Sequence, residues 1–210
     1  MRCGEGTDMN PLLLQDIVAD FAHGIVLADR ARPVALNARS KEAFRAGIGP
    51  HSEAAAVRLV MQAVRADRPA RYQDYSLAVP YPANRKNKCD LCIGVAPQWA
   101  WAIEAKLIWF FGDNGKRNDN ILMHVLSPYA EHRSALTDFI KLRTSGFACR
   151  KAVLLYGFDH VGWSLDPAIE ALETLAHSMA AVGGRCTAEF EGLVRPVHSS
   201  GRVFAWEVPV

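Results

Sequence analysis

The stretch CDLCIGVAPQWAWAIEAKL, residues 89–107, carries the strongest structural signal in the chain. Two apolar segments flank a short turn with a proline, a pattern that predicts two strands joined as a hairpin. The strands cover about 88–95 and 99–109. The second strand is mainly apolar but carries Glu104 and Lys106 near its end. Because successive side chains on a strand point to opposite faces, these two charged residues share one face of the sheet.

The opposite face of the second strand is bulky and is expected to pack into the core. Its residues are Trp99, Trp101, Ile103, Ala105 and Leu107. On the first strand Asp90 shares a face with Cys92, and the hairpin pairing places Asp90 close to Glu104. Two carboxylates that meet on one face repel each other unless a cation lies between them.

An oxygen-rich site of this kind suits Mg²⁺, with Mn²⁺ as a substitute, because these ions share carboxylate ligands with a substrate phosphate. A lysine beside the ion can orient or deprotonate an attacking water, or stabilise the charge that grows on the phosphorus. Asp90 on one strand, with Glu104 and Lys106 on the next, therefore predicts a hydrolytic site for phosphodiesters.

Asp90, followed fourteen positions later by Glu104-Ala105-Lys106, resembles the motif of the PD-(D/E)XK nuclease superfamily, which has the restriction-endonuclease-like fold. The resemblance covers residues 50–185, and the order of predicted elements agrees with it. One difference is Cys89, which precedes Asp90 where proline is often found in the family.

The resemblance implies roles for individual residues. Asp90, Glu104 and the main-chain carbonyl of Ala105 would hold the metal, and Lys106 would act on the nucleophilic water. Family members often carry a further acidic residue on the helix before the strands, and Glu53 matches that position. The alternative is an exposed Glu–Lys pair near a strand end, which would contribute little to stability. Two alanines and neighbouring large aromatics argue against an exposed strand face.

The whole chain predicts an α/β fold with a central mixed β-sheet flanked by helices, restriction-endonuclease-like, with an N-terminal helical extension. It is treated as a single domain, with the extension at 1–50, the core with the motif at 51–185 and closing strands at 186–210. The predicted helices are 10–29, with Asn10 as cap and Pro11 at the first position, 52–67, 121–147 with a break near Pro128, and 166–183. The other predicted strands are 70–82, 149–159 and two at the C-terminus.

Composition limits the function classes. The chain has 210 residues, a formal net charge of +2 and five cysteines. The charge neither demands nor excludes nucleic acid. The odd cysteine count and the polar first ten residues favour a reducing, cytoplasmic location without a disulfide framework. No apolar run approaches the roughly 18 residues that span a membrane, so no membrane partner is expected.

Several further motifs have both a functional and a structural interpretation. The C-x-x-C formed by Cys89 and Cys92 suggests a zinc half-site or a redox pair, but strand spacing puts its thiols on opposite faces and favours buried cysteines. The basic stretches at 84–88 and 112–120 contact a phosphate backbone or are solvated loops. His132 or Arg133 is a candidate polar residue on the helix after the motif, although a surface position is favoured. At the C-terminus the candidates for ligand contact or structural pairing are His198, Arg202 and Trp206.

These features predict a metal-dependent endonuclease with DNA as substrate, and a homodimer by analogy, because cutting both strands usually takes two sites. The first alternative is a catalytically silent module of the same fold that binds nucleic acid or protein. The second is an enzyme that acts on a small molecule, which no glycine-rich phosphate loop or Ser-His-Asp signature supports.

Overall fold

A six-stranded mixed sheet organises the computed structural model, which describes residues 11–112, 114–179 and 181–209. The strands are β1 Tyr75–Pro80, β2 Lys88–Val95, β3 Gln98–Trp109, β4 Arg150–Phe158, β5 Cys186–Glu191 and β6 Ser200–Glu207. The helices are α1 Leu14–Arg30, α2 Glu53–Asp67, α3 Pro69–Tyr72, α4 Ile121–Leu126, α5 Ala135–Arg143 and α6 Asp166–Met179. The predicted α/β class with a mixed sheet and flanking helices is confirmed.

The spatial order of the strands is β1-β2-β3-β4-β6-β5. Only the β3–β4 pair is parallel among the strand pairs of the described chain. One face of the sheet packs with α1 and α2 around Trp101, Ile103 and Tyr156. The other face packs with α4, α5 and α6 around Ile108, Phe139 and Leu155. No helix in the described part of the chain combines the length and apolarity that a membrane-spanning segment requires.

The predicted hairpin of β2 and β3 is confirmed, and β3 alternates as expected from Trp101 to Leu107. Trp99 was expected on the same face as Trp101, and this prediction is wrong, because Trp99 packs against the opposite cluster. The pairing register shifts between Ile93 and Gly94, where Gly94 has φ +114°. Because of this bulge, the side chains of Trp99 and Trp101 lie on opposite faces of the sheet at the start of β3.

The predicted N-terminal helix forms, but its start differs from the prediction. It begins at Leu14, so Pro11 does not take the first helical position, and Asn10 lies outside the described residues. The helix continues through Gly24 without a break. A side chain at this position would collide with Val60 and Val64 of α2. The glycine therefore allows close packing of the two helices.

The strand predicted at 70–82 is too long at its start. Pro69 opens the short helix α3, whose Tyr72 is buried and donates a hydrogen bond from its hydroxyl to Asp20 at 2.9 Å. This tertiary contact overrides the alternation of the local sequence. The helical stretch 121–147 divides into α4 and α5 around Pro128, as predicted.

Candidate active site

The C-terminal half of β3 has an open edge on its β2 side. The β2–β3 pairing ends at Leu91 and Ile103, whereas β3 stays paired with β4 as far as Trp109. Along the open edge the main-chain N–H of Ala105 donates to Asp90 Oδ2 at 2.9 Å, and the N–H of Leu107 donates to Glu53 Oε2 at 2.7 Å. Two carboxylates thus occupy the hydrogen-bonding positions of a missing strand.

Asp90 reaches this edge because β2 changes faces at that residue. Leu91 packs on the α1–α2 face, but Cys89 packs on the α4–α6 face, although residues two apart on a regular strand share a face. On the neighbouring strand Ala78 adopts φ +54°, a left-handed conformation that a regular strand does not contain. The irregularity redirects the Asp90 carboxylate toward Ala105.

The same irregularity corrects the prediction for the C-x-x-C motif. Cys89 and Cys92 were expected on opposite faces, but both are fully buried in the cluster on the α4–α6 face. A hydrogen bond with Cys92, together with burial, raises the pKa of the Cys89 thiol well above its usual value. A buried thiol with a raised pKa is unreactive, which favours the structural interpretation. Within the described residues Cys149 and Cys186 are free thiols as well.

The main-chain carbonyl of Ala105 faces the same open edge as the two carboxylates. In an extended strand the N–H and C=O of one residue point to the same side, and the N–H of Ala105 points to Asp90. Oxygen atoms from Asp90, Glu53 and Ala105 therefore converge on this edge. Glu104 and Lys106 project beside it from the face of β3 that α5 covers.

Glu104 is almost fully buried, with 2% of its surface exposed. Its Oε1 accepts a hydrogen bond from the Tyr81 hydroxyl and lies 3.5 Å from Lys141 Nζ. Burial raises the pKa of Glu104 to about 10, and the nearby charges of Asp90 and Asp138 add to this effect. Without a bound cation, Glu104 is therefore a neutral acid at pH 7.

Lys106 lies between two carboxylates. Its Nζ is 3.2 Å from Asp138 Oδ2 and 3.6 Å from Glu53 Oε1. Burial lowers the pKa of Lys106, but the charges of Asp138 and Glu53 outweigh burial, so the pKa is raised and the ammonium persists. Burial raises the pKa of Glu53 to about 7, even though Lys106 and the Leu107 N–H act in the opposite direction.

Helix α5 contributes two residues that the sequence interpretation did not assign to the site. Asp138 is 1% exposed, and its Oδ1 lies 2.8 Å from Lys141 Nζ. The available signal was the position of Asp138 within the buried stripe of α5, because a carboxylate in an apolar stripe requires a partner. His132, the earlier candidate, instead lies 2.6 Å from Ser127 Oγ, and Arg133 is exposed.

The donor chemistry of the edge fits a hard divalent cation. Asp90, Glu104, Glu53 and the carbonyl of Ala105 offer only oxygen atoms, which Mg²⁺ and Mn²⁺ prefer. A cation bound at this edge would lower the pKa values of Glu53 and Glu104, which burial and the neighbouring carboxylates raise. In residues 11–112, 114–179 and 181–209, no three His, Cys, Asp or Glu side chains are arranged as a metal site. The ammonium groups of Lys106 and Lys141 pair with Asp138, and Lys106 also lies near Glu53.

The other predicted motifs lie outside this edge. The basic residues Arg85, Lys86 and Lys116 are exposed. At the C-terminus the three candidates make structural contacts: Arg202 pairs with Asp166, Trp206 donates to Glu173 at 2.7 Å, and the His198 ring nitrogen Nε2 lies 3.0 Å from the carbonyl oxygen of Phe111.

Comparisons of the chain with family models, with curated proteins and with solved structures found no match.

Replacing Asp138 with asparagine is expected to lower the free energy of unfolding by roughly 1–3 kcal/mol, because two ammonium groups lose their shared buried carboxylate. Lys106 should also lose its proton at a lower pH, since Asp138 is the first of the charges that raise its pKa. Urea unfolding measures the first effect, and the alkaline limb of an activity–pH profile measures the second. Asp67→Asn, at a half-exposed ion pair, is the control. Unchanged stability and an unchanged pH profile would contradict a positioning role for Asp138.

Proposed function

We propose that the chain is a metal-dependent endonuclease that hydrolyses phosphodiester bonds in DNA, with the PD-(D/E)XK type of site. The observation that supports this most is the open edge of β3, where Asp90, Glu104, Lys106 and Glu53 come together from two strands and a helix. This strand edge combines carboxylates with a lysine ammonium, and exposed basic loops accompany it. Such a combination of charges suits a phosphodiester substrate.

Each residue has a specific role in this proposal. Asp90, Glu104, Glu53 and the carbonyl of Ala105 would hold Mg²⁺ or Mn²⁺, which supplies charge neutralisation and a more acidic bound water. Lys106, kept protonated by Asp138 and Glu53, stabilises negative charge on the phosphate and orients the attacking water. Tyr81 and Lys141 hold the Glu104 carboxyl in a single orientation.

The proposal also covers partners and location. The exposed basic residues at 84–88, together with Lys116, supply contacts to the DNA backbone. A homodimer would bring two such sites together on one DNA substrate. Free thiols such as Cys149 suit a reducing cytoplasm.

The alternative is a catalytically silent module that binds nucleic acid or protein. One observation favours it, namely that the ammonium groups of Lys106 and Lys141 already pair with Asp138 and Glu53. A network of such ion pairs stabilises a fold without any bound metal or catalytic role. Metal binding separates the two interpretations.

We expect the purified protein to cleave plasmid or linear DNA with Mg²⁺ or Mn²⁺ and to lose this activity completely in EDTA. Single-stranded DNA and RNA are tested in parallel to identify the substrate. Calorimetry with Mn²⁺ follows on the wild type and on Asp90→Ala, with Asp67→Ala as the control. Cleavage that persists in EDTA would contradict the metal mechanism. No cleavage, together with identical Mn²⁺ titrations for the wild type and Asp90→Ala, would favour the silent module.

A further inference from the structure

A cleft of about 1000 Å³ opens directly beside the candidate active edge. Glu53 and Leu107, which share the edge hydrogen bond, also line this cleft. One wall comes from the segment between α1 and α2, and the opposite wall comes from the segment that follows β3. The volume is at the upper end of that of small-molecule sites and is large enough for a nucleotide.

The lining of the cleft combines aromatic faces with amide groups. Trp109 and Phe44 line the cleft, and each is half-buried. Asn37, Asn114 and Asn118 also line it. Their side-chain oxygens accept main-chain hydrogen bonds within their own loops, and the amide nitrogens of Asn37 and Asn114 are the donors that a ligand could use. His51 adds a buried Nε2 atom that has no hydrogen-bond partner within the described chain.

The charge of the lining is sparse. Lys116 is an exposed cation in the wall, whereas Arg117 is already engaged by Asp119 at 3.1 Å and stacks over the ring of Trp163. Glu53 is the single acidic residue among the described lining residues, and it lies at the proposed cation site. This distribution suits a ligand with one phosphate near Glu53 and an uncharged, planar remainder.

We infer that this cleft binds an unpaired nucleotide next to the scissile phosphate, so that the enzyme selects single-stranded or locally unpaired DNA over an intact duplex. The inference rests on the proposed nuclease function and specifies its substrate class. In a duplex the base faces are stacked on each other and recognition relies on many phosphate contacts, which this lining does not supply. An unpaired base exposes both its face for stacking and its edge for hydrogen bonding.

The test measures binding separately from cleavage. The Lys106→Met variant of the 210-residue chain is titrated, in Mg²⁺, into a short fluorescein-labelled strand of mixed sequence and into the same strand annealed to its complement. Fluorescence anisotropy should show binding to the single strand at least about tenfold tighter than to the duplex, since each stacked base contributes substantially. Equal or tighter binding to the duplex, or binding to neither, would overturn the inference.

Two variants locate the binding to the cleft. Phe44→Ala should weaken binding to the single strand by roughly tenfold, as expected for loss of one stacking surface, and leave duplex binding unchanged. Tyr129→Ala, which removes an exposed aromatic ring elsewhere, is its control. Lys116→Ala is a second test that does not depend on the folding of the Phe44 variant, because Lys116 is exposed. It should also weaken binding to the single strand. Arg143→Ala, on the opposite face of the sheet, is its control. Unchanged binding in Lys116→Ala and in a folded Phe44→Ala protein would overturn the inference.

The outcomes for binding and for catalysis remain distinguishable. If wild type cleaves duplex DNA with metal but shows no preference for single strands, the subsite inference fails and the nuclease proposal stands. If single-strand binding depends on Phe44 but no metal supports cleavage, the cleft inference stands and the catalytic proposal fails.

Discussion

Replacing Lys106 with methionine should lower the rate of DNA cleavage by about a thousandfold, the upper range for loss of one preorganised electrostatic group. Lys106 is the ammonium held between Asp138 and Glu53, so its charge is fixed near the proposed phosphate position before substrate binds. Methionine keeps most of the length of the side chain, and Asp138 retains its contact with Lys141. The fold should therefore persist while the rate falls.

Single-turnover cleavage of a labelled single strand and of a plasmid, both in Mg²⁺, measures this effect. Lys41→Met, which removes an exposed lysine from the segment between α1 and α2, is the matched control. Circular dichroism confirms that both variants are folded. A rate for Lys106→Met equal to that of the control would exclude Lys106 from the chemistry.

Replacing Glu104 with glutamine should abolish metal-dependent cleavage and yet stabilise the protein. With a pKa of about 10, Glu104 stays protonated in the folded chain at neutral pH, whereas it ionises in the unfolded chain. This difference destabilises the folded state by an amount on the order of 3 kcal/mol near pH 7. Glutamine is neutral in both states and can still accept hydrogen bonds from Tyr81 and Lys141.

The sign of the pH dependence follows from the raised pKa. The folded state holds the Glu104 proton from the unfolded value of 4.5 up to about 10, so stability falls as pH rises through this window. Glu53 adds a pH dependence of stability with the same sign, but only up to its own pKa of about 7. Above about pH 7, the wild type should therefore continue to lose stability, and Glu104→Gln should lose much less.

Urea unfolding in EDTA at about pH 7 and about pH 9 tests this difference, because EDTA removes any cation that would stabilise the ionised carboxylate. Glu170→Gln, at an exposed position on α6, is the control. Calorimetry with Mn²⁺ should show weaker binding to Glu104→Gln than to the control. A less stable variant that retains cleavage would refute the assignment of Glu104 as a buried ligand.

The elements of the fold could largely be predicted from local patterns. Alternation on β3, the apolar run of β4 and the caps and prolines around α2 and α6 are properties of neighbouring residues, and the observed elements follow them closely. The predictions that went wrong because they used local patterns without tertiary contacts include the start of β1 and the face of Trp99. A buried tyrosine contact and a bulge, respectively, account for these differences.

The chemistry of the site could be predicted only in part. The motif places Asp90, Glu104 and Lys106 on neighbouring strands because strand spacing and hairpin length are local, whereas Glu53 came from the family resemblance. The contributions of Asp138, Lys141 and Tyr81 were not predicted, since nothing local shows that α5 packs over Glu104 or that Tyr81 points to it.

The sequence alone determined the class of fold, the strand that carries the charges and the face on which they lie. Tertiary structure decided how those charges are balanced, because burial and distances between remote segments set the ionisation of Glu104, Glu53 and Lys106. It also decided that β2 leaves β3 at Asp90, where a left-handed Ala78 and the end of the ladder open an edge. The physical reason is that a carboxylate's pKa and a strand's free hydrogen bonds depend on groups brought close in space, not on neighbours along the chain.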